Sequence, residues 1–454
     1  MSEYTTIYAG NFLIYRVIRT YGVMKYTHEF RDPIHTFISV RTDERRVIDS
    51  RPFQRLRHIH QLALTYLVYP GATHKRFEHS LGVMEIASRI FDVVTAPENV
   101  RHDSVRNIMP DDPARSYWKS VLRMAALCHD LGHLPFSHAA EKELLPESYD
   151  HERLSRDFIY SAEMEEIWAT MTPPLRADDI VKLAVGPKRA DPLELNTWET
   201  ILSEIIVGDA FGADRMDYLL RDSYHAGVSY GMFDRHRLIN TLRILPKEYE
   251  ESDEPALGLE AGGLESSEGL MIARHFMYKQ VYLHHIRRVY DIHLKDFLAS
   301  WLPGGKFSTT LKKHLKISDV EVLTAIRSAY DKTGSHHHQF ARRIQCREHF
   351  RRFYEAAPSD RGVGKLYPGR IIAQAAEKKF GKDHIRYDCY PAKSSAPSFP
   401  VLRYDGKVES SLVRSQVLAR MPEIEIDNVY CDKSILDEAI KWRDQEKKNL
   451  LGVQ

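Results

Sequence analysis

Between about residues 45 and 250 the apolar positions recur mostly at helical spacing. Trp118, Val121, Leu122, Ala125 and Cys128 fall at i, i+3, i+4, i+7 and i+10, which is one face of a helix. Leu81, Met84, Ala87, Phe91 and Val94 do much the same. The stretch 251–266, ESDEPALGLEAGGLES, interrupts the pattern with acids and glycines and reads as a loop or hairpin, with a helix resuming over about 267–300. Beyond about 305 the texture changes. IRYDCY, PVLRYDGKVESS and EIEIDNVYC alternate like strands, and a charged helix is expected near 433–447. The pattern predicts a mainly α chain: an N-terminal segment 1–27, a helical core 28–304, and a smaller C-terminal α/β lobe 305–454.

Composition narrows the class more than it changes this outline. A length of 454 residues exceeds one small core, and 43% hydrophobic with 28% charged residues is the balance of a soluble globular protein. With 64 basic and 63 acidic residues no global field attracts nucleic acid or a membrane, so an anionic ligand needs a local cluster. RRIQCREHFRR (342–352) interleaves basic and aromatic residues and could meet nucleic acid, but near charge balance a solvated helix face is the better reading. The histidine run SHHHQF (335–340) reads as a polar loop. Cys128, Cys346, Cys389 and Cys431 form no CxxC pair, which points to a reducing compartment without a zinc knuckle. The first thirty residues lack the layout of a signal peptide. No stretch reaches the roughly 18 apolar residues of a membrane helix. A cytoplasmic location is expected.

The chemistry concentrates in LCHDLGHLPFSH (127–138), where three histidines and an aspartate end an amphipathic helix that Gly132 and Pro135 then break. A carboxylate buried there needs a cation, either an arginine or a metal ion. HExxH is absent, which excludes a zincin-type helix. Two other stretches offer partners. In HKRFEHSLG (74–82), His79 opens a helix with Arg76 just before it. In GADRMDYLLRDSYHAG (212–227), Asp214, Tyr218 and Asp222 share a stripe at i, i+4 and i+8, beside an apolar stripe of Met216, Leu219 and Leu220. Alone, this last segment is an ordinary amphipathic helix. Two histidines with two carboxylates suit Mg²⁺, Mn²⁺, Fe²⁺ or Zn²⁺ alike.

FRDPIH (30–35), VIDSRPFQRLRHIHQL (47–62), YPGATHKRFEHSLGV (69–83), CHDLGHLPFSH (128–138), DHE (150–152) and ADRMDYLLRD (213–222) follow one another in order. The series resembles the dNTP triphosphohydrolase branch of the HD-domain phosphohydrolases over about residues 28–300, and weakly beyond. The resemblance implies an HD-domain helical core in which His79, His129, Asp130 and Asp214 bind a divalent metal. It implies attack at the α-phosphate of a dNTP, releasing deoxynucleoside and tripolyphosphate. His133, His138 and His151 match positions near the phosphates. His138 or His151 is the candidate acid, and Glu141 a candidate orienting carboxylate. Arg76, Arg215 and Arg274 match positions that meet the triphosphate, and Gln61 and Asp222 those that hold the 3′-hydroxyl. Leu62, Tyr218 and Tyr282 match groups that pack on the sugar and leave no room for a 2′-hydroxyl. Tyr278 stands where vertebrate members have a histidine, which leaves base preference open. Asp49, Gln54 and Arg57 match an activator pocket for GTP or dGTP at a subunit interface, while His28 and Arg31 depart from it. Such a pocket implies a homotetramer or a dimer. Two rival readings stay open: a phosphodiesterase or exonuclease on single-stranded nucleic acid, or a nucleotide phosphatase; and a non-catalytic nucleotide sensor or nucleic-acid-binding protein. Gln61, Arg274 and Tyr282 favour the triphosphate, and the intact ligand set argues against a pure binder.

Overall fold

The computed structural model describes residues 28–137, 141–247, 254–360, 367–393 and 396–452, so the segment 1–27 and His138 lie outside the described residues. The chain enters through an antiparallel hairpin, β1 (His28–Asp32) and β2 (Thr36–Val40), which turns Ile38 and Val40 into the core. Two short helices, Thr42–Asp49 and Arg51–Arg55, lead to the first long one, α1 (Arg76–Val94). Glu78 anchors its start by accepting the Lys75 backbone N–H at 2.7 Å. In α2 (Asp112–Cys128), Asp111 caps by accepting the Ala114 N–H, and Pro113 occupies the first turn, where no N–H is needed. Asp150 caps α3 (His151–Ile159) in the same way. After three further helices, Ala162–Thr170, Ala177–Val185 and Thr197–Val207, comes α4 (Ala213–Ala226), closed by Gly227 at φ 71°, the left-handed geometry that ends many helices.

α1 packs between α2 and α4. The predicted stripe on α2 is real: Val121, Leu122, Ala125 and Cys128 are fully buried with Leu81, Met84 and Ala87 of α1, while Trp118 rests at the edge. Where the sequence suggests a loop or hairpin at 251–266, β4 (Ala256–Glu260) pairs antiparallel with β3 (Leu242–Leu245) and α5 (Leu264–Met277) starts early. β4 buries both faces, so its sequence shows no alternation to read.

α6 (His285–Trp301), α7 (Asp319–Asp331) and the His338–Gln345 helix enclose a second core around Leu294, Phe297, Val322, Ile326 and Ile344. Leu134 and Phe136 of the histidine-rich loop insert into it. The smaller α/β lobe has an antiparallel sheet in the order β5 (Arg351–Glu355), β9 (Ile424–Cys431), β6 (Ile385–Lys393), covered by α8 (Pro368–Phe380) and α9 (Leu436–Leu451). Between β6 and β9 the chain returns to the core, where β7 (Pro400–Leu402) joins β4 in parallel and pairs with β8 (Val408–Ser410). The architecture is mainly α with a smaller C-terminal lobe that contains strands. Among the described residues no helix is long and apolar enough to cross a membrane.

Candidate active site

Three elements meet at one point. α1 supplies His79, the end of α2 supplies His129 and Asp130, and the first turn of α4 supplies Asp214. The ligand atoms of His79, His129 and Asp214 lie within 4.8 Å of one another. His79 Nε2 is 3.0 Å from Asp214 Oδ1, and His129 Nε2 is 3.6 Å from the same oxygen. Each ring is aimed by its other nitrogen: His79 Nδ1 donates to Asp217 at 2.8 Å, and His129 Nδ1 donates to the Ala126 carbonyl at 2.8 Å. That arrangement leaves each Nε2 for the centre of the site. His129 Nε2 is buried without a hydrogen-bond partner, and carboxylates flank it. A buried nitrogen acceptor beside carboxylates is a donor set that fits a divalent cation. Burial opposes charge on His79, but hydrogen bonds to Asp214 and Asp217 outweigh it and push the ring up to about 10. These carboxylates draw positive charge to the ring, for which a proton and a cation compete.

Asp130 adjoins the trio, with Oδ1 3.3 Å from His129 Nε2 and Oδ2 3.7 Å from His79 Nε2. It is already matched by cationic groups. Arg76 donates to Oδ2, and His133 Nε2 stands 3.1 Å from Oδ1. Burial works against its charge, yet Arg76, His129 and His133 hold the carboxyl well below the usual range.

A second cluster sits beside the first. Ligand atoms of His133, Glu141 and His151 also lie within 4.8 Å of one another. The His133 and His151 rings stack at 4.1 Å. Glu141 Oε1 accepts both the backbone N–H and Nδ1–H of His151, each at 2.7 Å. Burial, Arg76 and His151 push His133 down. For His151 burial is outweighed by Glu141, and the ring is raised. Two touching imidazoles with pKa values driven apart are the pattern of an acid beside a neutral partner. Gly132 makes this packing possible, since a Cβ there would stand 2.2 Å from the His151 carbonyl oxygen. His151 lines a cavity of about 770 Å³ with Arg287, Asp291, Tyr387 and Tyr390.

The residues matched to the sugar and triphosphate gather around α4 and α5. Asp222 accepts from His74 Nε2 at 2.8 Å and from the Tyr282 hydroxyl at 2.7 Å. Tyr282 meets Tyr218 edge-on at 6.0 Å and Tyr278 at 5.2 Å, and Arg274 lies over Tyr278 at 5.7 Å. Tyr278–Tyr282 is a π-helical turn, a device often found at sites. Gln61 donates its backbone N–H to the His74 carbonyl, and its side-chain Oε1 is buried without a partner. Leu62 is buried. Arg215 reaches Asp209 at 3.4 Å and keeps Nε and Nη1 buried without partners. Of the residues matched to an activator pocket, Arg57 donates to Gln54 at 2.9 Å and stacks on Phe77 at 3.5 Å. Asp49 instead turns to Arg45 on an exposed helix face.

Sequence reasoning missed what stands behind His79. Asp217 accepts from His79, His35 and Arg221, and Arg221 also reaches Asp32 at 2.7 Å. The Asp217–Arg221 spacing of i, i+4 was visible, but its partners in the β1–β2 hairpin were not.

Residues 76–207 match the HD domain, and residues 233–366 match an HD associated region. The chain is 37% identical over 265 residues to an uncharacterized protein of Methanocaldococcus jannaschii, covering 58% of this chain and 48% of that protein. It is 27% identical over 390 residues to the deoxynucleoside triphosphate triphosphohydrolase SAMHD1 of Mus musculus, covering 77% and 57%. The crystal structure of a hypothetical protein from Aquifex aeolicus is similar with a TM-score of 0.73 at 32% identity, over 91% of this chain and 99% of that one. The chain spans about half the length of the curated relatives it matches.

Proposed function

Because the chain belongs to the HD-domain family, we propose that it is a metal-dependent dNTP triphosphohydrolase, converting dNTP and water into deoxynucleoside and tripolyphosphate. The observation that carries this reading is the placement of three sets on shared elements. α4 bears Asp214 in the trio and, one and two turns on, Tyr218 and Asp222 with Tyr282 against them. α1 bears both His79 and the Arg76 guanidinium. A nucleotide phosphate at the trio thus has the Tyr218–Tyr282 aromatic wall on the element that bears Asp214 and the His133–His151 pair next to Asp130. His79, His129 and Asp214, with Asp130 beside them, would hold the cation, and the donor set suits Mg²⁺, Mn²⁺, Fe²⁺ or Zn²⁺. When bound, such an ion lowers the pKa of water and offsets charge developing on phosphoryl oxygens. Arg76 and Arg215 place guanidinium groups for the phosphates. His151, held by Glu141, gives its proton to the leaving 5′-oxygen. The Tyr218–Tyr282 pair and Leu62 exclude a 2′-hydroxyl by contact. Activation by GTP or dGTP at Asp49, Gln54 and Arg57, within a homo-oligomer that completes the pocket, belongs to the same reading.

The test is product analysis of purified protein with Mg²⁺ or Mn²⁺ and each dNTP, singly and mixed. Deoxynucleoside with intact tripolyphosphate is expected from dNTPs, and nothing from NTPs. The mixture matters because an activator-dependent enzyme is silent with one nucleotide. Release of orthophosphate would redirect the reading to a phosphatase, and shortening of a single-stranded oligonucleotide to an exonuclease.

A pH profile checks the acid. Glu141 raises His151, so the proton is available until pH climbs through that raised value. Glu141→Gln removes the charge that holds it. The alkaline limb of kcat should then move to lower pH while the acid limb stays. An unmoved alkaline limb would remove His151 from the role.

A further inference from the structure

Asp319, the first residue of α7, directs its carboxylate away from its own helix. Oδ2 accepts the backbone N–H of His60 at 2.7 Å and His60 Nδ1–H at 2.6 Å, and Oδ1 accepts the backbone N–H of Phe136 at 2.7 Å. The helix end is capped without it: the Ser318 hydroxyl accepts the Val320 N–H, and Glu321 accepts the Ser318 N–H at 2.7 Å. Asp319 is 1% exposed. A carboxylate that deeply buried is tolerated because all three donors converge on it. It belongs to the HD associated region, and it bonds to chain 259 and 183 residues away.

What it grips is the frame of the site. His60 forms a β-bridge with Lys75, and Lys75 Nζ donates to His60 Nε2 at 2.6 Å. The next residues on the two sides of that bridge are Gln61 and Arg76. Phe136 and Ser137 have φ of 58° and 56°, a left-handed conformation that non-glycine residues adopt rarely and only when held. Ser137 Oγ accepts from Arg76 Nε at 2.7 Å and donates to the His60 carbonyl at 3.2 Å. Arg55 adds a second tie between the start of α7 and this loop, donating to the carbonyls of Ile317 at 3.0 Å and His133 at 2.8 Å.

We propose that Asp319 is a positioning residue for the candidate active site, clamping loop 133–137 and the His60–Lys75 bridge so that His133, Arg76 and Gln61 face the substrate. The inference rests on the reading of this site as a phosphohydrolase centre. A residue serving only helix stability would bond to its own helix end, as Glu321 does. Asp319 touches neither His79, His129 nor Asp214, so metal binding is separable from its role.

Asp319→Asn is the test, because an amide has one acceptor and can serve only one side of the clamp. Glu321→Ala, which weakens the same helix end without touching the site, is the control. In Asp319→Asn a fall in kcat of about tenfold to a hundredfold per metal-loaded protein is expected, the range that follows from small misplacements of reacting groups. Bound metal should be unchanged. Hydrogen exchange should quicken in peptides covering residues 56–62 and 131–137 and stay as in the wild type across α1. Glu321→Ala should lower Tm and leave kcat and those peptides as in the wild type. Wild-type kcat in folded Asp319→Asn, an equal kcat loss in Glu321→Ala, or unaltered exchange in the two peptides overturns the clamp. If Asp319→Asn does not fold, His60→Gln tests the same link, with a smaller kcat loss expected and wild-type kcat overturning it. Each protein is assayed on dNTPs and on bis(p-nitrophenyl) phosphate. A wild type that cleaves the diester and no dNTP sinks the substrate reading, while the ratio of variant to wild type on the diester still judges the clamp. If the wild type turns over neither, the exchange pattern decides it.

Discussion

His129→Ala should reduce turnover by at least about a thousandfold while the protein stays folded, because metal charge contributes several kcal/mol to phosphoryl transfer and each 1.4 kcal/mol is tenfold in rate. The residue suits this test better than its neighbour. His129 bonds to a backbone carbonyl through Nδ1 and its Nε2 faces the site, and the alanine still leaves Asp130 paired with Arg76 and His133, and Asp214 paired with His79. Asp130 is different: it neutralises Arg76, whose side chain is buried. Removing that carboxylate leaves a buried guanidinium unmatched, which costs about 3–5 kcal/mol. Asp130→Ala, alone or combined with His129→Ala, should therefore lose turnover and also a large part of its stability. Elemental analysis and thermal unfolding separate the two causes. His129→Ala with normal metal content and normal rate removes the trio from the mechanism.

How far the sequence could be read depended on where each residue's partner lies. The α2 stripe was legible because Val121, Leu122, Ala125 and Cys128 report their own burial through local spacing. His79, His129 and Asp214 come from three distant stretches, and in the sequence only a motif series joins them. β4 was obscured because a strand buried on both faces has no period of two. Asp319 was hidden for another reason: an acid in the first turn of a helix has an ordinary explanation, and its true partners are His60 and Phe136. Asp217 shows the same limit, since its bond to His35 spans 182 residues. Residues that contact substrate left a mark in the motifs, whereas those that hold them in place did not.

Asp217→Asn should cost about 3–5 kcal/mol of stability and lower metal affinity by about 10- to 100-fold, although Asp217 is no part of the trio. Its two oxygens accept four hydrogen bonds: His35 Nε2 and Arg221 Nη2 on one, His79 Nδ1 and Arg221 Nε on the other. Asn offers one acceptor, and its NH₂ confronts donors where an oxygen was. With the NH₂ on the His79 side, His79 loses the partner that fixes its tautomer, and in either orientation Arg221 keeps one of its two bonds here besides Asp32. The pH dependence identifies charge as the source. Burial works against ionised Asp217, but Arg221, His35 and His79 hold its carboxyl well below the usual range. Its stabilisation is therefore complete above the ordinary carboxylate pKa of about 4 and is lost as pH falls below that. The difference in unfolding free energy between wild type and Asp217→Asn should be largest near neutrality and shrink toward pH 3. Gly82→Ala supplies an independent check, because its Cβ would stand 1.9 Å from Asp217 Oδ1 and force α1 and α4 apart at this carboxylate. It should lower metal affinity in the same direction without altering any charge. A stability difference for Asp217→Asn that is constant from pH 7 to pH 3 would mean that shape rather than charge sets the cost. Unchanged metal affinity in both variants would mean that His79 is oriented by something other than Asp217.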